Sequence, residues 1–128
     1  MKKYRISETE TGSYPDHYRT VSVCLDDGKE EKTLTLIEHN EEISFCLCEK
    51  GVCESISGFD GLEFGGTYGE LIKLLEEKND SSSASVLWYL VYLSLCDEEN
   101  KKKLIEETKD RYIEDIEIPM EELKGFLQ

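Results

Sequence analysis

Residues 19–38 read RTVSVCLDDGKEEKTLTLIE, two alternating segments on either side of a turn. Apolar residues occupy every second position in each segment, which is the period of a half-buried β-strand. Asp27 and Gly28 stand between the segments, and both residue types tolerate the positive φ of a tight turn. The stretch therefore predicts an antiparallel hairpin with strands Arg19–Leu25 and Thr33–Glu38.

Similar segments extend this hairpin on both sides. Tyr4–Glu8 predicts a preceding strand, which a TGSYPD turn ends. After a turn at His39–Asn40, the apolar alternation of residues 43–47 predicts a fourth strand, and Val52–Ser57 predicts a shorter fifth. Because consecutive strands joined by short turns usually pair with each other, we expect an antiparallel meander.

The second half of the chain carries helix signals. Thr67 and Glu70 match a capping box, in which each side chain satisfies an orphan backbone donor, and apolar residues follow within residues 71–75. Residues 84–96 are apolar on nearly every side, which is typical of an interior helix packed against a sheet. An amphipathic helix is predicted over Asp97–Lys109.

The C-terminal segment predicts one more strand and a short helix. The strand residues would be Tyr112, Ile113, Ile116 and Ile118. Pro119 is well placed to open a helix that ends near Phe126. Strands first and helices later indicate an α+β fold. We expect a single α+β domain over residues 1–128, with a mainly antiparallel sheet of five to six strands packed by three to four helices from the C-terminal half.

The net charge of −14 is unevenly distributed along the chain. Residues 38–80 hold eleven acids against three bases, and residues 97–128 hold eleven against six, whereas residues 81–96 are uncharged. Direct binding to nucleic acid is disfavoured, because proteins gain affinity for phosphates through Lys and Arg. An anionic membrane surface is disfavoured for the same reason. The charge favours a basic protein partner.

Neither a secretory signal nor a membrane span is expected. The N-terminus, MKKYRISETE, has no apolar stretch. The longest apolar run, Val86–Cys96, is interrupted by Ser94 and covers about 11 residues, whereas a bilayer needs about 20. We therefore expect a soluble, cytoplasmic protein whose five cysteines stay reduced.

Cys46, Cys48 and Cys53 fall within eight positions and raise the question of a metal or redox site. A closed zinc site needs four ligands, and only His17 and His39 could add nitrogen. The CxxC spacing of thioredoxin-like sites is absent. We expect neither a metal site nor a cofactor.

The turn of the cysteine hairpin decides whether the thiols share a face. A two-residue turn at Lys50–Gly51 would set Cys53 opposite Cys48, but it requires a lysine with positive φ. A three-residue turn over Glu49–Gly51 places only the glycine in that region. It pairs Cys53 with Leu47 and sends the third thiol to the opposite face. We therefore expect the thiols to be dispersed.

Other chemical motifs are missing. Residues 58–70, GFDGLEFGGTYGE, lead into a helix N-terminus but match neither the Walker nor the dinucleotide pattern. No serine lies in a GxSxG elbow, and spacing alone cannot pair either histidine with a thiol. The DxDxDG loop of a calcium site is also absent. We expect no enzyme activity and no catalytic residue.

Two carboxylate clusters are candidates for a partner-binding surface. The C-terminal cluster comprises Glu114, Asp115, Glu117, Glu121 and Glu122. The helix cluster comprises Glu70, Glu76, Glu77 and Asp80. Each is either a solvated face, with acids favouring a helix N-terminus, or an electronegative surface that binds a basic partner.

In size, acidity and lack of a catalytic motif, the chain resembles nuclease inhibitors and immunity proteins, although it matches no family motif. The resemblance implies an immunity-type or antitoxin-type inhibitor that neutralises a basic toxin or nuclease. Two alternatives remain open. One is a nucleic-acid mimic that blocks a DNA-binding or RNA-binding enzyme, and the other is an enzyme with an unrecognised carboxylate or thiol site.

Overall fold

Five antiparallel strands form a meander in which each strand pairs with the next along the chain. A computed structural model describes residues 3–14, 17–49, 51–56, 58–60, 62–63, 66–78 and 82–126. The strands are β1 (Arg5–Tyr14), β2 (Tyr18–Asp26), β3 (Glu31–His39), β4 (Glu42–Glu49) and β5 (Val52–Ile56). The predicted meander is confirmed.

The alternation of residues 19–38 gives the sheet one apolar face and one polar face. Val23 pairs with Leu34, and Leu34 pairs with Leu47 on the next strand, so apolar side chains line up across the sheet. The opposite face, called the outer face below, carries the intervening polar residues. Gly28, with φ of 93°, lies in the turn between β2 and β3.

β1 is longer than the sequence predicted. It continues through Gly12 and Tyr14, which pair with Thr20 and Tyr18, so the predicted TGSYPD turn begins later than expected. The remainder of that turn, residues 15–16, lies outside the described residues. A β-bulge interrupts the register between Ile6 and Glu8.

Four helices follow the sheet: α1 (Tyr68–Glu77), α2 (Ser82–Leu95), α3 (Glu98–Thr108) and α4 (Met120–Gly125). Twelve of the 14 residues of α2 are buried, and this helix contacts β2, β3 and α1. The predicted interior helix is therefore confirmed. Among the described residues, no helix has both the length and the apolarity to cross a membrane.

The capping box at α1 is confirmed with a small shift. The Glu70 backbone N–H donates to Thr67 Oγ1 at 3.2 Å, and the Glu70 carboxylate accepts from the Gly66 N–H, one residue before the cap. The glycine-rich segment ahead of it contains a short hairpin, β6 (Gly58–Phe59) and β7 (Leu62–Glu63). Its Phe59 and Leu62 side chains are buried in the core.

The predicted last strand over Tyr112–Ile118 is wrong. Only Tyr112 forms an isolated bridge, with Arg5 of β1, and Ile113–Asp115 is a 3₁₀ helix. The Ile113 N–H donates to Tyr4 O at 2.8 Å and holds this turn against β1. Since the chain then turns on itself, the strand pairing stops after one bridge. The short helix after Pro119 is confirmed.

The cysteine hairpin adopts the register that the sequence analysis rejected. Cys48 pairs with Cys53, and the two form a disulfide with Cα atoms 4.1 Å apart. The expectations of dispersed thiols and fully reduced cysteines are therefore wrong. The observed register pairs Ile56 with Phe45 and packs it against the core, whereas the predicted register, with its three-residue turn, would point that side chain outward. Burial of that side chain favours the two-residue connection; Lys50 itself lies outside the described residues.

Candidate functional site

Eight carboxylates of the two predicted clusters are exposed, and the ninth, Asp80, lies outside the described residues. The structure distributes the C-terminal cluster over three places. Glu114 and Asp115 lie on the 3₁₀ helix, and Glu121 lies in the first turn of α4. Glu117 and Glu122 instead line a cleft. The cluster is therefore not one continuous surface.

This acidic cleft lies between α3 and the segment 117–122 and has a volume of about 400 Å³. Its lining residues are Tyr92, Asn100, Lys103, Leu104, Glu107, Glu117, Ile118, Pro119 and Glu122. Three carboxylates thus face one ammonium group. The cleft carries a net negative charge and is open to solvent.

Glu122 is held in place by the cleft's own residues. Its Oε1 accepts from the Tyr92 hydroxyl at 3.2 Å and from Asn100 Nδ2 at 3.5 Å. Burial and the neighbouring Glu122 carboxylate raise the pKa of Tyr92 to about 12, so the phenol stays protonated and donates to that carboxylate. Within the part of the chain that the structure describes, Glu107 and Glu117 form no hydrogen bond or ion pair. Their carboxylates can therefore accept from a ligand.

An apolar groove of about 150 Å³ lies beside the acidic cleft. Its lining residues are Ser85, Trp88, Ile113, Ile116, Ile118 and Met120. Ile118 borders both depressions. The segment between the 3₁₀ helix and α4 therefore separates a charged depression from an apolar one.

The helix cluster has mainly structural contacts. Glu70 caps α1, and Glu76 forms an ion pair with Lys124 of α4 at 3.4 Å. Both members of that pair are about half exposed, so it contributes little stability. It brings the end of α1 close to α4, but Glu70, Glu76 and Glu77 do not line the acidic cleft.

Sequence reasoning missed Glu107, Tyr92 and Asn100 as cleft residues. The sequence pattern places Tyr92 in the interior helix and Asn100 in an amphipathic helix. Glu107 did carry a signal, because it lies in the last turn of α3, where the helix dipole disfavours a carboxylate and no basic residue is present. A carboxylate placed against the helix dipole indicates a role other than helix stability.

Compared with known protein families, curated proteins and solved structures, the chain matches none.

Proposed function

We propose that the protein is a binding protein that captures a basic protein partner, as an inhibitor of the immunity or antitoxin type. The observation that supports this proposal is the acidic cleft with an apolar groove at its border. Protein interfaces commonly combine a buried apolar centre with a polar rim. The two depressions together provide both parts.

The cleft suits a Lys or Arg side chain of the partner. Glu107 and Glu117 offer carboxylates from opposite walls, on α3 and on the segment before α4. Charge-assisted hydrogen bonds to such carboxylates are stronger than neutral ones. The apolar groove suits an aliphatic or aromatic side chain, and Trp88, which lines it, belongs to the residue types that dominate binding energy.

The overall charge supports the same class of partner. A net charge of −14 attracts a basic protein over long distances and raises the association rate. At about 0.15 M ionic strength the screening length is about 8 Å, so added salt should slow association first. Contacts inside the cleft would persist and set the dissociation rate.

The test compares two double charge reversals on opposite sides of the molecule. Glu107→Lys with Glu117→Lys changes the cleft, and Glu8→Lys with Glu10→Lys makes the same charge change on exposed residues of β1. Basic proteins retained by the wild type from the native cytoplasm are identified, purified and measured individually. The proposal expects one partner whose affinity falls at least about tenfold in the cleft variant, or about 1.4 kcal/mol.

The β1 variant serves as the control for net charge. It should bind that partner within about threefold of the wild type, because steering alone changes mainly the association rate. Both variants must keep the wild-type thermal melt. Equal losses in the two variants, or no loss in the cleft variant, would show that the charge serves solubility, and the proposal would be abandoned.

A further inference from the structure

Three cysteines of the β4–β5 hairpin converge on the outer face of the sheet. The Sγ atoms of Cys46, Cys48 and Cys53 all lie within 4.8 Å of one another. Cys46 and Cys48 are two residues apart on β4 and point the same way. Cys53 sits directly across from Cys48 on β5. The two-residue connection is what brings the third thiol to this face.

These cysteines lie outside the hydrophobic core. Cys46 and Cys48 are half-buried and Cys53 is exposed, on the face opposite the core. Their cross-strand neighbours are hydroxyl residues: Thr35 and Ser55 flank Cys46, and Thr33 pairs with Cys48. The Thr35 hydroxyl lies 2.8 Å from Ser22 Oγ and the Thr33 hydroxyl lies 3.2 Å from Cys24 Sγ, so the surroundings of the three sulfurs are polar.

Among the described residues, the ligand cluster contains sulfur alone. No carboxylate or imidazole belongs to it. His39 is six residues along β3 from Thr33, which corresponds to about 20 Å at the rise of a β-strand. Thiolates without nitrogen or oxygen ligands select soft metal ions, among them Cu(I).

The geometry suits one ion held by three sulfurs. For a metal–thiolate bond of about 2.3 Å, three sulfurs around an ion in a trigonal plane stand about 4 Å apart. The three Sγ atoms already lie within 4.8 Å of one another, on a paired hairpin that limits their movement. Little backbone change is needed once the disulfide is opened.

We propose that the reduced chain binds one Cu(I) ion through Cys46, Cys48 and Cys53, and that the Cys48–Cys53 disulfide closes this site. A dithiol reductant transfers two electrons and two protons to the disulfide and is itself oxidised to a cyclic disulfide. Cu(I) then replaces the protons of the three thiols, and three protons go to solvent. The site is independent of the acidic cleft, which lies on the helix side of the sheet.

The experiment titrates reduced protein with Cu(I) in the absence of oxygen. The full chain is reduced with dithiothreitol, desalted and given Cu(I) from its acetonitrile complex, in competition with bicinchoninate as a coloured chelator. We expect one tightly held Cu(I) per chain and an ultraviolet thiolate-to-copper absorption band. The oxidised protein, with Cys48–Cys53 intact, should bind Cu(I) at least about tenfold more weakly.

Single substitutions identify the ligands. Cys46→Ser leaves the other two thiols and should lower the affinity at least about tenfold, which corresponds to about 1.4 kcal/mol. Cys24→Ser is the matched control, since Cys24 is a half-buried free cysteine on β2, outside the cluster. It should bind like the wild type, and circular dichroism checks that both variants fold. Failure of the reduced wild type to compete with the chelator, or equal losses in the two variants, would overturn the proposal.

Discussion

Tyr89 joins three elements through its hydroxyl, although its ring lies fully buried in α2. The hydroxyl lies 3.1 Å from Thr9 Oγ1 of β1 and 2.9 Å from Thr108 Oγ1 of α3. The Thr108 hydroxyl in turn donates to the Leu104 carbonyl at 2.7 Å. Because one hydroxyl can donate once and accept from others, this chain of three hydroxyls can be satisfied away from water.

Tyr89→Phe is expected to lower the free energy of unfolding by about 1 kcal/mol. The ring still fills its site, but the hydroxyls of Thr9 and Thr108 lose a partner. Chemical denaturation measures the change. Tyr112→Phe is the control, because that side chain is 47% exposed, and its cost should be near zero. Equal costs for the two changes would contradict the role of the Tyr89 hydroxyl.

Cys96 gives the protein an alkaline pH dependence. Burial raises the pKa of its thiol from the ordinary value of 9.0 to about 11. The folded chain therefore holds this proton more tightly than the unfolded chain does. The associated stability is fully present below pH 9 and is lost as the pH rises from 9 to about 11.

Substitution of Cys96 by Ala should remove this dependence. The stability difference between wild type and Cys96→Ala is expected to be constant below pH 9 and to shift against the wild type between pH 9 and about 11. Denaturation curves of both proteins across that range measure it, with Cys24→Ala as a second comparison. A difference that stays constant through the whole range would show that the thiol is not the source.

At the level of elements, α2 is the centre of the packing. Its residues are buried on nearly all sides because the sheet, α1 and the 3₁₀ helix surround it. Trp88 is the largest residue of this helix and is only 7% exposed, although it lines the apolar groove. Its fluorescence therefore reports on both the core and the groove.

Trp88→Ala is expected to cost about 3–5 kcal/mol of unfolding free energy, as truncation of a large buried side chain does. In the wild type, the indole emission should be blue-shifted and poorly quenched by iodide, because an anion cannot reach a buried ring. Emission spectra and quenching titrations test this, with the unfolded chain in denaturant as the fully accessible reference. Ready quenching in the folded state would mean that α2 is exposed at this position.

The β4–β5 hairpin and the C-terminal segment show how tertiary contacts override local preference. The register of this hairpin goes against the local turn preference, yet it places Ile56 against the core. The isoleucines at positions 113, 116 and 118 do not follow the regular two-residue period of a strand. They pack under α2 and along the apolar groove and do not pair as a strand.

For the whole molecule, the sheet separates two surfaces of different chemistry. The helix side carries the acidic cleft and the apolar groove, and the outer face of the sheet carries the three converging cysteines. The two proposals therefore fail or succeed separately. Cys46→Ser should leave partner capture unchanged, and the cleft charge reversals should leave Cu(I) binding unchanged.

The sequence by itself determined the main features of the fold. The two-residue period of residues 19–38 requires a sheet with one buried face, and the mostly apolar segment 84–96 requires an interior helix. The Thr67 side chain satisfies a backbone N–H group in the first turn of α1. Pro119 has no N–H group that could be left unsatisfied at the start of α4. These features depend on neighbours along the chain, so they could be predicted without the tertiary structure.

Only the tertiary structure decided which distant residues meet. The hairpin register depends on burial of Ile56, and that register in turn assembles the three cysteines. The acidic cleft exists because α3 packs beside the segment before α4 and brings Glu107 to the wall opposite Glu117. Side chains that are far apart in sequence come together because of packing across the whole core. No local sequence pattern predicts that packing.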